Sequence, residues 1–345
     1  MEEEKDFFDD FSGGRTSAFY ALPQSGSSRK NFIAETDQHT YVVTRNDNLP
    51  ENESFFYFSE VFSNLSLNTP KIYKISADRK TYIQQYLGSK TLSEIIQDEG
   101  LSERVKIMVK ETLSKLHHLQ KVTSGKIDYS RTFEYEKYDS LPILHDLNYF
   151  KFFFADILEI PYHKSTLLKE FNTLAQSIVN IKPKVLMIRD FQARNIMVDE
   201  NNGVYFIDYQ AAMEGPAMYD VVSFLYQAKA NFPDEFKGEM LDFYISLFDG
   251  ETERQSLRES VLPIRLIRNM QVLGAYGFRG LVQKKEHFIK SIDQGIKNLI
   301  QTSQSWDEMG NYPDLRDLIQ RLNTDAEEKI KKLITAGLGN PLFLK

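Results

Sequence analysis

Two short runs carry residues able to do chemistry: Ile188-Arg189-Asp190-Phe191-Gln192-Ala193-Arg194-Asn195 and, further along, Ile207-Asp208-Tyr209-Gln210. They set an aspartate and an asparagine in D-x4-N spacing, followed by a second aspartate at the end of an apolar stretch. Phosphoryl transfer to a hydroxyl needs these parts: one carboxylate to orient the hydroxyl and accept its proton, and oxygen ligands to hold Mg²⁺ on the phosphates of ATP. Mg²⁺ takes few protein oxygens and keeps the rest of its shell for phosphate and water. Asp190 is therefore the expected base, and Asn195 and Asp208 are the expected metal ligands. The competing reading is a polar turn whose acidic residues cap backbone groups. The D-x4-N spacing alone does not separate the two; the second aspartate and the order of the flanking elements favour chemistry.

These residues need strands to hold them. Lys184 to Ile188, Ile196 to Asp199 and Val204 to Ile207 are short apolar runs, and Glu200-Asn201-Asn202-Gly203 is a hairpin signal between the last two. Asp190 and Asn195 thus fall on a loop, and Asp208 falls just after a hairpin strand. Upstream, Ser17 to Leu22, Asn31 to Glu35 and Thr40 to Arg45 read as strands, as do Lys71 to Ser76 and Lys80 to Gln85. Between the two groups, Phe55, Phe58, Val61, Phe62 and Leu65 recur at helical spacing. After Tyr86-Leu87-Gly88 the pattern turns helical, over Thr91 to Gln97, Ser102 to Gln120, Asp139 to Leu158, Ser165 to Asn180, and again from Ala217 onward. The expected fold class is α+β: a small antiparallel-sheet lobe over residues 1–87 and a large, mainly helical lobe over 88–345.

Composition excludes several other classes. The 345 residues carry 42 Lys+Arg against 49 Asp+Glu, a net charge of -7, which disfavours a nucleic-acid partner. There is no cysteine, hence no disulfide and no thiolate site. No apolar run is long enough for a membrane span, and the acidic start Met1-Glu2-Glu3-Glu4-Lys5 is unlike a signal peptide, so the expectation is a cytoplasmic protein. The 25 Phe and 18 Tyr read as core packing rather than a sugar-stacking surface. Adjacent His117 and His118 point about 100° apart on a helix and cannot share a metal.

The two runs, together with Gly215-Pro216-Ala217-Met218-Tyr219-Asp220, resemble the aminoglycoside phosphotransferase and choline kinase superfamily. Within it, the R-D-F-Q-x-R-N loop and the I-D-[aromatic]-Q step are most similar to bacterial kinases that phosphorylate the anomeric hydroxyl of N-acetylmuramate and N-acetylglucosamine. The likeness extends from about Leu22 to about Leu322 and is dense between 185 and 226. It implies a protein-kinase-like two-lobe fold, ATP and Mg²⁺ as cofactors, a small amino sugar as acceptor, and a part in cell-wall sugar recycling. It also implies Asp190 as base, with Arg194 bracing the loop or touching the transferred phosphate, and a structural role for Asp220. Other acceptors (an aminoglycoside, choline, homoserine) and a nucleotide-binding pseudokinase are the alternatives.

Two departures stand out. Ile188 occupies the place where the superfamily often has a histidine, whose part there is to support the loop. No V-A-I-K lysine is present on the third strand; Arg45 stands near its place, with Glu53 or Glu60 as the acidic partner on the helix. Gln24-Ser25-Gly26-Ser27-Ser28-Arg29-Lys30 resembles a phosphate-covering loop, with Ser27, Ser28 and Arg29 as contacts; a plain hairpin loop is the alternative. Tyr86 marks a hinge whose backbone would meet adenine. For the acceptor, Gln192, Gln210 and Arg279 are candidates, with Glu134, Glu136 and Asp139 a further acidic cluster. Three glycines near Arg279 in a helical pattern signal close packing or ligand approach.

Overall fold

The computed structural model describes residues 1–23, 28–227 and 230–335. In chain order the elements are α1 (Glu2–Ser12), β1 (Ala18–Ala21), β2 (Lys30–Glu35), β3 (Thr40–Arg45), α2 (Leu49–Asn64), β4 (Ile72–Ile75), β5 (Thr81–Gln85), β6 (Lys90–Thr91), α3 (Leu92–Glu99) and α4 (Glu103–Thr123). There follow α5 (Ser140–Phe150), α6 (Lys164–Val179), β7 (Lys184–Met187), β8 (Ile196–Val198), β9 (Val204–Phe206) and β10 (Met213–Pro216). The remainder is helical: α7 (Met218–Leu225), α8 (Asp234–Ser246), α9 (Glu251–Tyr276), α10 (Glu286–Ile289), α11 (Ile292–Ser305) and α12 (Pro313–Thr335). This is the α+β class expected. The expected strand and helix of the first third are present, and α1 is added: its three acidic residues suit a helix N-terminus, and Gly13 ends it at φ 64°.

Contacts group the chain into two compact units, Met1–Lys137 with Val185–Glu214 and Gly238–Leu247, and Tyr138–Lys184 with Gly215–Lys237 and Phe248–Lys345. The lobe boundary expected at residue 87 does not divide these units. The reason is local: β6 pairs with β8, and Gly88, at φ 105°, lies so close to it that a Cβ would sit 2.8 Å from the Val198 carbonyl oxygen. The chain beyond the hinge is thereby stitched to the β8–β9 hairpin in the first unit.

In that unit the antiparallel sheet runs β1-β2-β3-β5-β4. Cross-strand partners share a face, and neighbours along a strand take opposite faces. Lys30 pairs with Arg45, Phe32 with Val43, and Val43 with Ile83. These side chains face α1, where Phe8 is fully buried with Phe32, Ala34, Val43 and Ile83. Asn31 pairs with Thr44, and Thr44 with Tyr82. That second face meets α2, through the Phe55 ring 5.2 Å from Tyr82. α2 begins at Asn48, whose side chain accepts the Glu51 N–H, with a proline in the first turn. It buries more than the one predicted face: Phe56 and Tyr57 are covered by the guanidinium groups of Arg79 and Arg131, 5.0 and 4.2 Å from the rings.

In the second unit α9 is the central helix. The glycines near its end serve packing: a Cβ on Gly274 would meet the Tyr149 ring at 2.8 Å, and one on Gly277 would meet the Phe153 carbonyl oxygen at 1.9 Å. Asp139 caps α5 by accepting the Leu141 N–H, while Glu134 and Glu136 are exposed. Glu170 accepts the N–H groups of Asp314 and Leu315 at the start of α12. Among the described residues no helix is long and apolar enough to cross a membrane.

Two glycines give a test of this packing. Gly277→Ala should destabilise the fold by about 1–3 kcal/mol through overpacking. Gly238→Ala, in α8 with nothing within 4 Å of the added Cβ, should be neutral or stabilising by up to about 1 kcal/mol. Urea unfolding of both variants measures the contrast, and equal midpoints would contradict the close approach at Gly277.

Candidate active site

The loop carrying Asp190 is pinned from below by apolar side chains. Ile188, Phe191 and Ala193 are buried, and the Phe191 ring stands edge-on to Phe206 of β9 at 4.9 Å. Ile188 is thus part of the core where a histidine was the alternative: the loop is held by packing. Arg189 takes a left-handed backbone, φ 73°, and Asp190 donates its N–H to the Ile188 carbonyl at 3.0 Å, so the chain reverses tightly at this point. A single turn of 3₁₀ helix over 193–195 follows, closed by the Asn195 N–H to the Gln192 carbonyl at 2.8 Å.

This turn brings Asn195 back onto the loop and onto Asp208. Its Nδ2 donates to the Asp190 carbonyl at 2.9 Å and to Asp208 Oδ2 at 3.2 Å. With Nδ2 committed, Oδ1 is the atom left to take a cation, beside a carboxylate. A carboxamide oxygen and a carboxylate are hard donors of the kind Mg²⁺ takes, so the residues present fit that ion. Asp208 itself sits at φ 66°, an uncommon backbone state outside glycine. Its Oδ1 accepts from Arg29 Nη2 at 2.5 Å and from Gln210 Nε2 at 3.1 Å.

The segment after Asp208 is anchored to α2. Tyr209 is fully buried, stacks on Phe55 at 5.1 Å, and shares a 2.7 Å hydrogen bond between its hydroxyl and that of Ser59. Burial drives its pKa well above the ordinary tyrosine value. The Ser54 hydroxyl donates to the Gln210 carbonyl at 2.7 Å. Nearby Tyr82 is also buried, and burial pushes its pKa up to about 12.

Arg29 is the cation of the site. Besides Asp208 it reaches Glu51 Oε1 at 3.4 Å, and Glu51 is held through Oε2 by Asn46 Nδ2 at 2.9 Å. Burial opposes the charge on Arg29, but the Asp208 carboxylate, with Tyr82 and Glu51, more than offsets it, and its pKa stands above the usual arginine value.

The structure therefore brings Asp190, Arg194, Asn195, Asp208, Gln210 and Arg29 together. Arg194 Nη2 lies 3.2 Å from Asp190 Oδ2 as an exposed pair, worth about 0–1 kcal/mol. Gln210 is buried and its amide Nε2 braces Asp208. Gln192 is half-buried at the start of the 3₁₀ turn. Ser28 is exposed ahead of β2, Ser27 lies outside the described residues, and Tyr86 is half-buried beyond β5. Arg279 belongs to the second unit, where its guanidinium lies 5.5 Å from the Phe288 ring centre.

Arg45 is not brought to Asp208. It shares the α1 face of the sheet, where it meets Glu3 at 3.0 Å, Asp47 at 3.6 Å and Glu4 at 3.9 Å. Nor do the expected acidic partners serve: Glu53 is paired with Arg79, and Glu60 lines a cavity of about 540 Å³ beside β4. The carboxylate that does reach Arg29 is Glu51, which was not among the residues singled out from the sequence. Its signal was the Asn48-Leu49-Pro50-Glu51 helix start, which fixes Glu51 in the first turn of α2.

A family model described as a phosphotransferase enzyme family matches residues 20–259. The chain belongs to this family. An N-acetylmuramate/N-acetylglucosamine kinase of Neisseria meningitidis serogroup B is 30% identical over 189 residues, which is 53% of this chain and 52% of that protein. The match thus spans about half the length of that relative. Among solved structures, the choline kinase LicA of Streptococcus pneumoniae aligns with TM-score 0.60 at 14% identity, over 87% of this chain and 100% of that one. The ADP-bound aminoglycoside phosphotransferase APH(2'')-Ib aligns with TM-score 0.57 at 17% identity, over 87% of this chain and 98% of that one. These likenesses establish the protein-kinase-like fold for this phosphotransferase-family chain.

The anchor under Asp208 is open to a direct test. Tyr209→Phe removes the hydroxyl bonded to both Ser59 and Thr69, while Ser59 keeps its own bond to the Phe55 carbonyl, at 2.7 Å. The expected cost is about 1–3 kcal/mol in chemical denaturation, for two bonds. A loss of 4 kcal/mol or more, on the order of a core truncation, would contradict this account of the bond.

Proposed function

We propose that this phosphotransferase-family chain is an ATP- and Mg²⁺-dependent kinase of a small sugar, and that its acceptor is the anomeric hydroxyl of N-acetylmuramate or N-acetylglucosamine. The observation that carries the kinase reading is the convergence of Asp190, Asn195 and Asp208 through the two bonds of the Asn195 amide. The acceptor reading is supported by the 30% identity to the Neisseria kinase.

In this reading Asp190 faces the acceptor. Its carboxylate orients the sugar hydroxyl toward the γ-phosphorus and takes its proton as the O–P bond forms, and ADP leaves. Bound Mg²⁺ would neutralise charge on the phosphates, and Asn195 Oδ1 and the Asp208 carboxylate are the groups that would hold it. The Gln210 amide and the Asn195 amide keep the Asp208 carboxylate from rotating. Arg194, bonded to Asp190, would steady the base or the phosphoryl group in transfer. Ser28, with Ser27 outside the described residues, would contact the phosphates, and the backbone at Tyr86 would meet the adenine. Arg279 and Gln192 stay candidates for acceptor contacts.

The test is ADP release over a panel of N-acetylmuramate, N-acetylglucosamine, choline, homoserine and aminoglycosides. Turnover of an N-acetyl amino sugar is expected, with a drop of about 10²–10⁴-fold in Asp190→Asn. Turnover of choline or an aminoglycoside instead would overturn the acceptor reading. Tight Mg-ATP binding with turnover of no acceptor would point to a pseudokinase, and undiminished activity in Asp190→Asn would remove the assigned base.

A further inference from the structure

The third strand of the sheet lacks the lysine that would meet ATP phosphates, and the face parity of the strands says which residue replaces it. Lys30 pairs with Arg45, and Asn31 pairs with Thr44. Arg45 and Lys30 therefore share the α1 face, and Asn31 and Thr44 share the other. Thr44 is buried and bonded to Asn31 Oδ1 at 2.7 Å and to Gln84 Nε2 at 2.9 Å, so the second face of β3 offers a hydroxyl and no cation. Arg29, two residues before Asn31, reaches the Asp208 side, with its Nη2 between Asp208 Oδ1 and Glu51 Oε1.

A second observation points to a ligand for this guanidinium. Its Nε is buried and has no hydrogen-bond partner. A buried donor left unpaired is costly, and it persists at a site where an acceptor is to be supplied. With Nη2 already tethered by two carboxylates, an anionic oxygen is the acceptor that suits Nε, because a charge-assisted bond to an arginine edge is among the stronger hydrogen bonds.

We propose that Arg29 is the residue that contacts the nucleotide phosphates in this chain, in place of a β3 lysine, and that Glu51 in the first turn of α2 is its positioning residue. This rests on the kinase reading above and names the cation that reading lacks. Glu51 is fitted to the task because both of its oxygens are engaged, one by Arg29 and one by Asn46, and its backbone N–H is fixed by the Asn48 cap. Arg45 takes no part: its three carboxylate neighbours, Glu3, Glu4 and Asp47, all lie on the α1 side or in the turn after β3.

The experiment is calorimetric binding of Mg-ADP and, separately, of adenosine to the full chain and to Arg29→Met, Arg29→Lys, Glu51→Gln and Arg45→Met. Adenosine has no phosphate, so it reports the nucleoside site alone. Arg29→Met should weaken Mg-ADP at least about 10-fold, the size of one charge-assisted bond, and leave adenosine affinity unchanged. Arg29→Lys should restore part of the loss. Glu51→Gln should show a smaller loss of the same selective kind, and Arg45→Met should bind both ligands as wild type does. Equal loss of both ligands in Arg29→Met and Arg29→Lys would show a merely structural role and overturn the proposal. So would a selective Mg-ADP loss in Arg45→Met, or wild-type Mg-ADP affinity in Arg29→Met. Absence of Mg-ADP binding by the wild-type chain would overturn the kinase reading itself, and this proposal with it.

Discussion

A single carboxylate collects three donors, and the site is arranged around that convergence. Asp208 accepts from Arg29, Asn195 and Gln210, each from a different part of the chain. A charged group held partly out of water must be compensated by donors of good geometry, or it shifts its protonation or unfolds its surroundings. Meeting this demand fixes the D-x4-N loop through Asn195, the segment after β9 through Gln210, and the start of β2 through Arg29. The left-handed backbone at Asp208 and Arg189 is the strain this convergence sustains.

The charged hub is mounted on an aromatic one. Phe55, Phe62, Tyr82 and Tyr209 pack ring on ring with centroids 5.0–5.2 Å apart where they meet across the helix, the sheet and the Asp208 segment. Aromatic pairs of this kind add about 0.5–1.5 kcal/mol each beyond area burial, and their rigid geometry transmits position as well as energy. Ser54 and Ser59 then bond the backbone and hydroxyl of the same segment to α2. Because Glu51 lies one turn before Phe55 on that helix, the placement of α2 sets both the hydrophobic support and the acidic partner of Arg29.

How much of this was legible in the sequence depends on whether a feature is local. Strands β1 to β5, β7 and the β8–β9 hairpin follow from alternation and the Asn-Gly turn and lie within a residue or two of their expected ends, and α2 follows from helical spacing; the short strands β6 and β10 were not expected. That Asp190, Asn195 and Asp208 come together was legible because the spacing of their types is itself the signal. Arg45 was the natural choice for the missing cation, since it lies on the expected strand. The register sets Arg45 on the face toward α1, because a shift of one residue moves a side chain to the opposite face. Sequence spacing does not display which turn of α2 a distant arginine reaches, and so Glu53 and Glu60 were weighed and Glu51 was not. The helix α1 was hidden for another reason: its stabilisation comes from Phe8 entering the sheet face, a tertiary contact with no local trace beyond Phe7, Phe8 and Phe11.

Asp208 and Asn195 are proposed to hold the metal, and Arg29 rather than Arg45 to hold the phosphates. A crystal structure of the full chain with Mg²⁺ and a non-hydrolysable ATP analogue tests this most directly. The expected result is a metal about 2.0–2.1 Å from Asn195 Oδ1 and from an Asp208 carboxylate oxygen, with Arg29 on a phosphate oxygen and still beside Glu51. A metal held by other residues, or a phosphate bonded to Arg45 with Arg29 remote from it, would contradict the account.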